Sequence, residues 1–224
     1  MNSDLRTLAL VLKRTNYGET DRIINLLTPE GKVSALAKGV RKEKSRLASG
    51  IEMFSLSEMV IHQGKSEFGI LTSAKPREFY QGILADFSRL ETASEIIKSV
   101  AKAADQVDSG EFFSVAVQAL RAIDKGGDLG LILAWFYLNV ARISGEQINL
   151  YNDSDGKPLV ADQTYAWNVA DGALRVSSAG KLSGSEIKMM RLMLSAELSL
   201  ILKVKDAAKM APELLYIAKS VNQL

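Results

Sequence analysis

An apolar run that alternates with polar or small residues leads directly into a cluster of cations in the segment Val33-Ser34-Ala35-Leu36-Ala37-Lys38-Gly39-Val40-Arg41-Lys42-Glu43-Lys44-Ser45-Arg46. The first five residues repeat with the period of two that is typical of a β-strand. Residues 38–46, named here the basic loop, hold five cations and one anion, and a further apolar run follows. The pattern predicts an exposed loop between two strands, and cations concentrated on a loop favour contact with phosphate.

Short apolar runs of the same kind occupy the N-terminal third of the chain. The predicted strands are Leu8–Leu12, Ile23–Leu27, Val33–Ala37, Phe54–His62 and Phe68–Thr72. Turn signals separate them at 16–18, at 28–31 and at Gln63-Gly64-Lys65-Ser66. Five short strands with turns at short spacing predict a small closed or partly open barrel.

The apolar period changes from that of a strand to that of a helix after Pro76. Apolar residues then recur at helical spacing as far as Ile123, and Leu131–Ile143 is almost continuously apolar, which predicts a buried helix. Ser183 and Glu186 form a capping-box pattern before a helix that carries apolar residues to Ile201. A last helix is expected around Pro212–Val221.

Residues 145–180 interrupt this helical region. They are rich in Gly, Asp, Asn and Ser, with short apolar pieces at Tyr165–Val169 and Ala173–Val176 and a two-residue turn signal at Asp171-Gly172. We therefore predict an α+β protein: a barrel in residues 1–80, followed in residues 81–224 by a helical domain with an irregular β-ribbon insert.

Composition removes several classes of chemistry. The chain has no cysteine and a single histidine, His62, so thiol catalysis, thiolate zinc sites and serine–histidine catalysis have almost nothing to work with. No catalytic residue, metal site or cofactor is predicted. No apolar run is long enough to cross a membrane, and Met1–Asp4 lacks the basic and apolar regions of a signal peptide. These features predict a cytoplasmic protein that is not an enzyme.

Short motifs elsewhere in the chain do not change this expectation. Gly64-Lys65-Ser66 lacks the upstream glycine of a phosphate-binding loop, because Met59 stands at that position. The carboxylates of Glu19 and Asp21 lie close together beside arginines, where a structural turn or ion pairing is expected rather than a reaction.

Charge is divided unevenly between the two regions. Residues 1–80 carry 13 Lys and Arg against 9 Asp and Glu, whereas residues 81–224 carry 15 against 17. This asymmetry favours nucleic-acid contact in the N-terminal third. The predicted phosphate contacts are the five cations of the basic loop and four cations near strand ends or at the exit of the barrel: Lys38, Arg41, Lys42, Lys44, Arg46, Arg14, Arg22, Lys75 and Arg77.

The N-terminal arrangement resembles the RecO family of bacterial recombination mediators. The matching pieces are Leu8–Leu12, Lys13–Asp21, Leu27-Thr28, Glu30-Gly31-Lys32, Ala37–Lys42, Ser45-Arg46, Phe54 and Leu71–Glu78. The Lys38-Gly39 to Ser45-Arg46 frame is the most specific of them. The resemblance covers about residues 5–80 and implies an oligonucleotide-binding (OB-fold) barrel there.

The same resemblance implies a function and partners. It implies binding of single- and double-stranded DNA, annealing of complementary strands, and help for RecA in replacing the single-strand binding protein SSB, together with RecR. It further implies contact with the SSB C-terminal tail and association with the nucleoid. Two alternatives stay open: an adaptor whose helical domain captures protein tails while the barrel binds little nucleic acid, and a barrel protein that binds RNA.

The insert departs from the family pattern. Many RecO relatives hold a four-cysteine zinc finger there, whereas residues 145–180 contain no cysteine. We predict a metal-free, zinc-finger-like remnant that keeps its β-ribbon shape through Tyr165, Trp167 and the Asp171-Gly172 turn.

Overall fold

A computed structural model describes residues 3–64, 68–146 and 148–222. It confirms the mixed α+β class, with an N-terminal sheet of five strands and helices after it. The strands are β1 (Ser3–Tyr17), β2 (Asp21–Thr28), β3 (Gly31–Ala37), β4 (Ser55–Gln63) and β5 (Gly69–Phe79), and a 3₁₀ helix covers Ala48–Ile51. The predicted turn at Gln63–Ser66 falls partly outside the described residues.

The five strands form a closed barrel in the order β1-β2-β3-β5-β4. All pairs are antiparallel except β3 with β5, which run parallel through Ala35 opposite Gly69 and Leu36 opposite Ile70. The short β3–β5 pairing completes the barrel, so each strand has a neighbour on both sides.

Alternating side chains fill the barrel. Its core contains Ile24, Leu26, Met59 and Ile61, all of them fully buried. Two residues from the connection between β3 and β4, Val40 and Ile51, belong to the same core. The long β3–β4 connection is therefore held near its beginning and near its end by apolar contacts.

Two strands are longer than their apolar pattern predicts. β1 extends well beyond Leu8–Leu12, and its register shifts between Val11 and Lys13, so a bulge interrupts the alternation. β5 extends past Thr72 to Phe79, with Pro76 opposite Ser57 beside another register shift. Bulges are positions where a strand accepts proline.

Three helices pack with the barrel in one compact unit, Met1–Asp124. They are α1 (Gln81–Leu84), α2 (Phe87–Gln106) and α3 (Glu111–Asp124). Gly110, just before α3, lies so close to the β2–β3 turn that a Cβ there would be 1.8 Å from the Pro29 carbonyl oxygen. Arg121 of α3 donates to both carboxylate oxygens of Glu78 on β5, with 2.8 Å from Nε to Oε2.

The second unit, Lys125–Leu224, contains the remaining helices. They are α4 (Leu129–Ser144), α5 (Gly184–Ser195), α6 (Leu198–Ile201) and α7 (Ala207–Val221). The buried character predicted for Leu131–Ile143 is confirmed, and so is the capping box of Ser183 and Glu186. The predicted single helix to Ile201 is instead broken after Ser195, and α7 begins five residues before Pro212.

The insert contains a two-stranded antiparallel ribbon of β6 (Tyr165–Asn168) and β7 (Ala173–Val176). The expected two-residue turn is a four-residue connection, because Asn168 pairs with Ala173, and Gly172 within it has a φ of 59°. Tyr165 is buried, and its hydroxyl accepts the Val160 N–H at 2.8 Å. The zinc-finger-like character of this insert stays a prediction.

The change from strands to helices falls between Phe79 and Gln81, whereas the compact units divide after Asp124. The predicted domain boundary at residue 80 therefore marks a change of secondary structure, and its status as a domain boundary stays a prediction. Across the described ranges, no helix combines the length and apolar character needed to cross a bilayer.

Candidate nucleic-acid interface

The basic loop follows β3 as a series of turns that leads into the 3₁₀ helix. All five of its cations are exposed to solvent. Among the described residues, none of the five forms an ion pair with a carboxylate. Because these five side chains are exposed and form no ion pair within the described residues, their charge is available to an anionic partner.

Asp21, the first residue of β2, holds the beginning of the basic loop. Its Oδ1 accepts the Gly39 N–H at 2.7 Å and the Thr20 hydroxyl at 3.0 Å. The Gly39 hydrogen bond is the main cause that lowers the pKa of Asp21, helped by the Thr20 hydrogen bond and the charges of Lys38 and Lys42. Gly39 has a φ of 61°, a conformation that glycine adopts without strain.

Arg41 ties the loop to the β1–β2 turn. Its backbone N–H donates to the Thr20 carbonyl at 2.9 Å, and its guanidinium donates to the Gly18 carbonyl at 3.3 Å. The turn and the basic loop therefore form one connected surface at this end of the barrel.

The 3₁₀ helix fixes the far end of the connection. Ile51 is fully buried in the barrel core, and Gly50 packs against the backbone of Ala74 on β5. A Cβ at Gly50 would lie 2.4 Å from the Ala74 carbonyl oxygen. Only glycine permits this approach. The connection that holds the basic loop is therefore fixed to the barrel on both sides of the loop.

The four predicted cations outside the loop differ in their surroundings. Arg14 is paired with Glu52 at 2.9 Å, and Arg77 is paired with Glu58. Such pairing reduces the charge that they offer to phosphate. The other two have no ion-pair partner among the described residues. The Nε of Arg22 donates to the Asn16 side chain at 3.1 Å, and Lys75 is exposed on β5.

A groove with a volume of about 570 Å³ also lies on the barrel. Val33 and Ser34 of β3 line one side, and Gln63 and Gly69 from the ends of β4 and β5 line the other. Ser34 is four residues before Lys38, a distance of roughly 13 Å along a strand. An extended ligand bound in this groove and running along β3 would therefore reach the basic loop.

Sequence reasoning identified the cations but not their support. Asp21 was expected to take part in ion pairing or a structural turn. In the structure it has the second role, because its carboxylate accepts the Gly39 N–H. The burial of Val40 within so charged a segment was not foreseen, although a lone apolar residue among six charges was its available signal.

The other perturbed groups of the described chain have structural causes. Burial is the main cause that raises the pKa of Tyr80, and the hydrogen bond to Glu78 is the main cause that raises the pKa of Arg121. Both lie where α3 meets the end of β5. His62 is half-exposed, with Nδ1 2.8 Å from Asp4 Oδ1. Within the described ranges, no group of three His, Asp or Glu side chains is arranged to hold a metal ion.

Fold and surface together define a barrel-and-helix protein with a cationic loop on its barrel. Residues 1–80 match the family model described as "Recombination protein O N terminal". The chain is 27% identical over 220 residues to the DNA repair protein RecO of Roseiflexus sp. (strain RS-1), which covers 93% of this chain and 77% of that protein.

Two further relatives extend this result. The DNA repair protein RecO of Heliobacterium modesticaldum is 38% identical over 109 residues, 48% of this chain and 40% of that protein. That of Desulfitobacterium hafniense (strain DSM 10664 / DCB-2) is 29% identical over 210 residues, 85% of this chain and 73% of that protein. The chain is thus similar to RecO DNA repair proteins, through the family model over residues 1–80 and through two of these relatives over 220 and 210 residues.

Proposed function

We propose that this protein binds single- and double-stranded DNA through the basic loop and anneals complementary strands, without catalysing a reaction. The observation that carries the proposal is the set of five exposed loop cations with no ion-pair partner in the described chain. The name of its relatives, DNA repair protein RecO, supports a nucleic-acid ligand.

The barrel supports the same proposal. We assign it to the OB-fold, because it has five strands in the order β1-β2-β3-β5-β4 with β3 and β5 parallel. OB-folds bind oligonucleotides with the face of their second and third strands and with neighbouring loops. The basic loop continues from β3, so it lies at the edge of that face.

The proposed mechanism is electrostatic. Each cation that contacts a phosphate releases condensed counterions, and for single strands the slope of log K against log salt changes by about 0.7 per contact. Five contacts would give a slope of about −3.5. Neutralising two strands at once lowers their mutual repulsion, and this favours their pairing.

A matched pair of variants tests the proposal. The loop variant combines Lys42→Ala, Lys44→Ala and Arg46→Ala. The control variant combines three exposed lysines of the C-terminal unit: Lys188→Ala, Lys203→Ala and Lys205→Ala. Both lose the same net charge, so any general charge effect is equal.

The measurement is fluorescence anisotropy of a labelled oligonucleotide, titrated at several salt concentrations between about 50 and about 200 mM. We expect the slope of the loop variant to be shallower by about 2 units and that of the control variant to match the wild type. Equal slopes for the loop variant and the wild type would contradict the proposal. Matched DNA and RNA strands in the same titration address the RNA alternative.

The partners implied by the resemblance to RecO proteins are part of the proposal. We propose that the protein acts with RecR, contacts the C-terminal tail of SSB, and helps RecA indirectly by assisting its loading onto SSB-coated single strands. Association with the nucleoid would follow from DNA binding. Co-elution of the wild-type protein with purified RecR would support the first of these contacts, and separate elution would contradict it.

A groove in the C-terminal unit favours tail binding as a second activity. It has a volume of about 550 Å³ and is lined by Leu150, Leu194, Tyr151 and two arginines, Arg142 and Arg191. Arg191 lies 4.7 Å from the centre of the Tyr151 ring, and its Nε donates to the Leu150 carbonyl at 3.0 Å. Arginine beside an apolar surface suits an acidic peptide that ends in an apolar residue.

The neighbouring methionines do not line this groove. Met189, Met190 and Met193 are buried and pack in the core. A labelled SSB-tail peptide should bind the wild type and Lys188→Met equally but bind Arg191→Met more weakly. Unchanged affinity for Arg191→Met would remove the groove from consideration.

A further inference from the structure

Tyr17 is an exposed aromatic residue at the last position of β1, where it precedes the β1–β2 turn. Its exposure is 55%. Within the part of the chain that the structure describes, its ring makes no stacking or cation–π contact and its hydroxyl makes no hydrogen bond. Tyrosine usually gains by burying its ring, so this ring is held in solvent without an internal reason.

Strand register places the ring beside the basic loop. Tyr17 lies directly opposite Asp21 in the β1–β2 pair. Residues that face each other across an antiparallel pair project from the same side of the sheet, with Cβ atoms roughly 5 Å apart. The Asp21 carboxylate accepts the Gly39 N–H at 2.7 Å, so Tyr17 projects from the side on which the basic loop begins.

The ring and the loop cations are also mechanically connected. Arg41 bonds to the carbonyls of Gly18 and Thr20, the first and last residues of the turn that follows Tyr17. In contrast, Asn16 and Arg22 form the adjacent opposed pair and project from the other side of the ribbon. The basic loop therefore shares its side of the hairpin with an aromatic ring.

Phosphate contacts and ring contacts select different ligands. A cation that meets a phosphate holds single strands and duplexes alike, because both expose their backbone. A ring needs the open face of a base, and a continuous duplex covers those faces by stacking. Aromatic side chains provide such stacking platforms in proteins that bind single strands.

We propose that Tyr17 stacks on an unpaired base of a DNA strand whose phosphates contact the basic loop, and that this stacking gives the surface its preference for single strands over duplexes. This inference rests on the proposed DNA binding by the basic loop. Tyr17 is thus a specificity-determining residue, whereas the loop cations supply affinity that does not depend on base pairing.

Three ligands of equal length separate stacking from charge: a single strand, the same strand with abasic sites, and a blunt duplex. The variants are Tyr17→Ala, Tyr17→Phe and the loop variant. Phenylalanine keeps the ring and removes only the hydroxyl. We expect Tyr17→Ala to bind the intact single strand roughly 5- to 100-fold more weakly, with an unchanged salt slope. Tyr17→Phe should bind as the wild type does.

The other two ligands test the reason for that loss. Tyr17→Ala and the wild type should bind the abasic strand with equal affinity, and also the duplex. An equal loss on intact and abasic strands would overturn the proposal, as would an unchanged affinity for the intact strand. Failure of the underlying DNA-binding proposal looks different, because the loop variant would then keep the wild-type salt slope on every ligand.

Discussion

Gly50 is the contact through which the far end of the basic loop is fixed to the barrel, and its replacement by alanine has a calculable consequence. A Cβ at this position would lie 2.4 Å from the Ala74 carbonyl oxygen and 2.5 Å from the Ala74 Cβ. Ordinary contacts need roughly 3.5 Å, so the 3₁₀ helix must shift by about 1 Å away from β5.

The cost of that shift follows from what it disturbs. Ile51, the next residue, is fully buried in the barrel core, and overfilling a packed core costs about 1–3 kcal/mol. For a unit of the size of Met1–Asp124, each kcal/mol lowers the thermal midpoint by roughly 3–5 °C. We expect Gly50→Ala to unfold about 3–15 °C below the wild type.

Thermal unfolding followed by circular dichroism measures this change. Gly64→Ala is the matched control, because the same methyl group would meet nothing within 4 Å there. Its midpoint should equal that of the wild type or lie slightly above it. If Gly50→Ala and Gly64→Ala unfold at the same temperature, the close packing of the 3₁₀ helix on β5 is wrong.

Three further outcomes are expected. Gly110→Ala should lower the free energy of unfolding, measured in denaturant, by more than about 1 kcal/mol, because the new Cβ would lie 1.8 Å from the Pro29 carbonyl oxygen. The lowered pKa of Asp21 stabilises the fold above the unfolded-state pKa of about 3.9, and this contribution is lost as the pH falls through the lower folded-state pKa. Asp21→Asn should therefore show a shallower loss of stability than the wild type in acid titrations below about pH 4. Elemental analysis of the purified protein should find no stoichiometric zinc, and finding it would contradict the metal-free insert.

The strands were predictable where alternation is regular. β2 and β3 agree with their apolar runs to within about two residues. β1 was predicted too short because the residues at both of its ends are largely exposed and show no apolar alternation, and a bulge follows its buried centre. A bulge is a property of the pairing between strands, so one strand's sequence carries little sign of it.

The beginning of β4 shows a similar limit. Phe54 was predicted as its first residue, but the strand begins at Ser55. Phe54 has a φ of 56°, which a strand does not permit. No local signal marks a bulky residue for that conformation, because the surrounding barrel imposes it.

The residues of the candidate interface could be predicted from the sequence, but the contacts that attach them to the barrel could not. The basic loop was visible as a run of cations, and its position between the third and fourth strands is confirmed. Its attachment through Asp21 and Gly50 depends on contacts between residues distant in the sequence. The pairing of Arg14 with Glu52 is equally non-local, so sequence spacing gave no reason to separate Arg14 from the loop cations.

Strand annealing tests the central proposal most directly. Two complementary oligonucleotides with donor and acceptor dyes are mixed at low salt with the wild type, the loop variant or the control variant, and the rate of energy transfer is recorded. We predict that the wild type and the control variant accelerate annealing equally, while the loop variant gives a rate close to that without protein. Annealing by the loop variant at the wild-type rate would contradict the account.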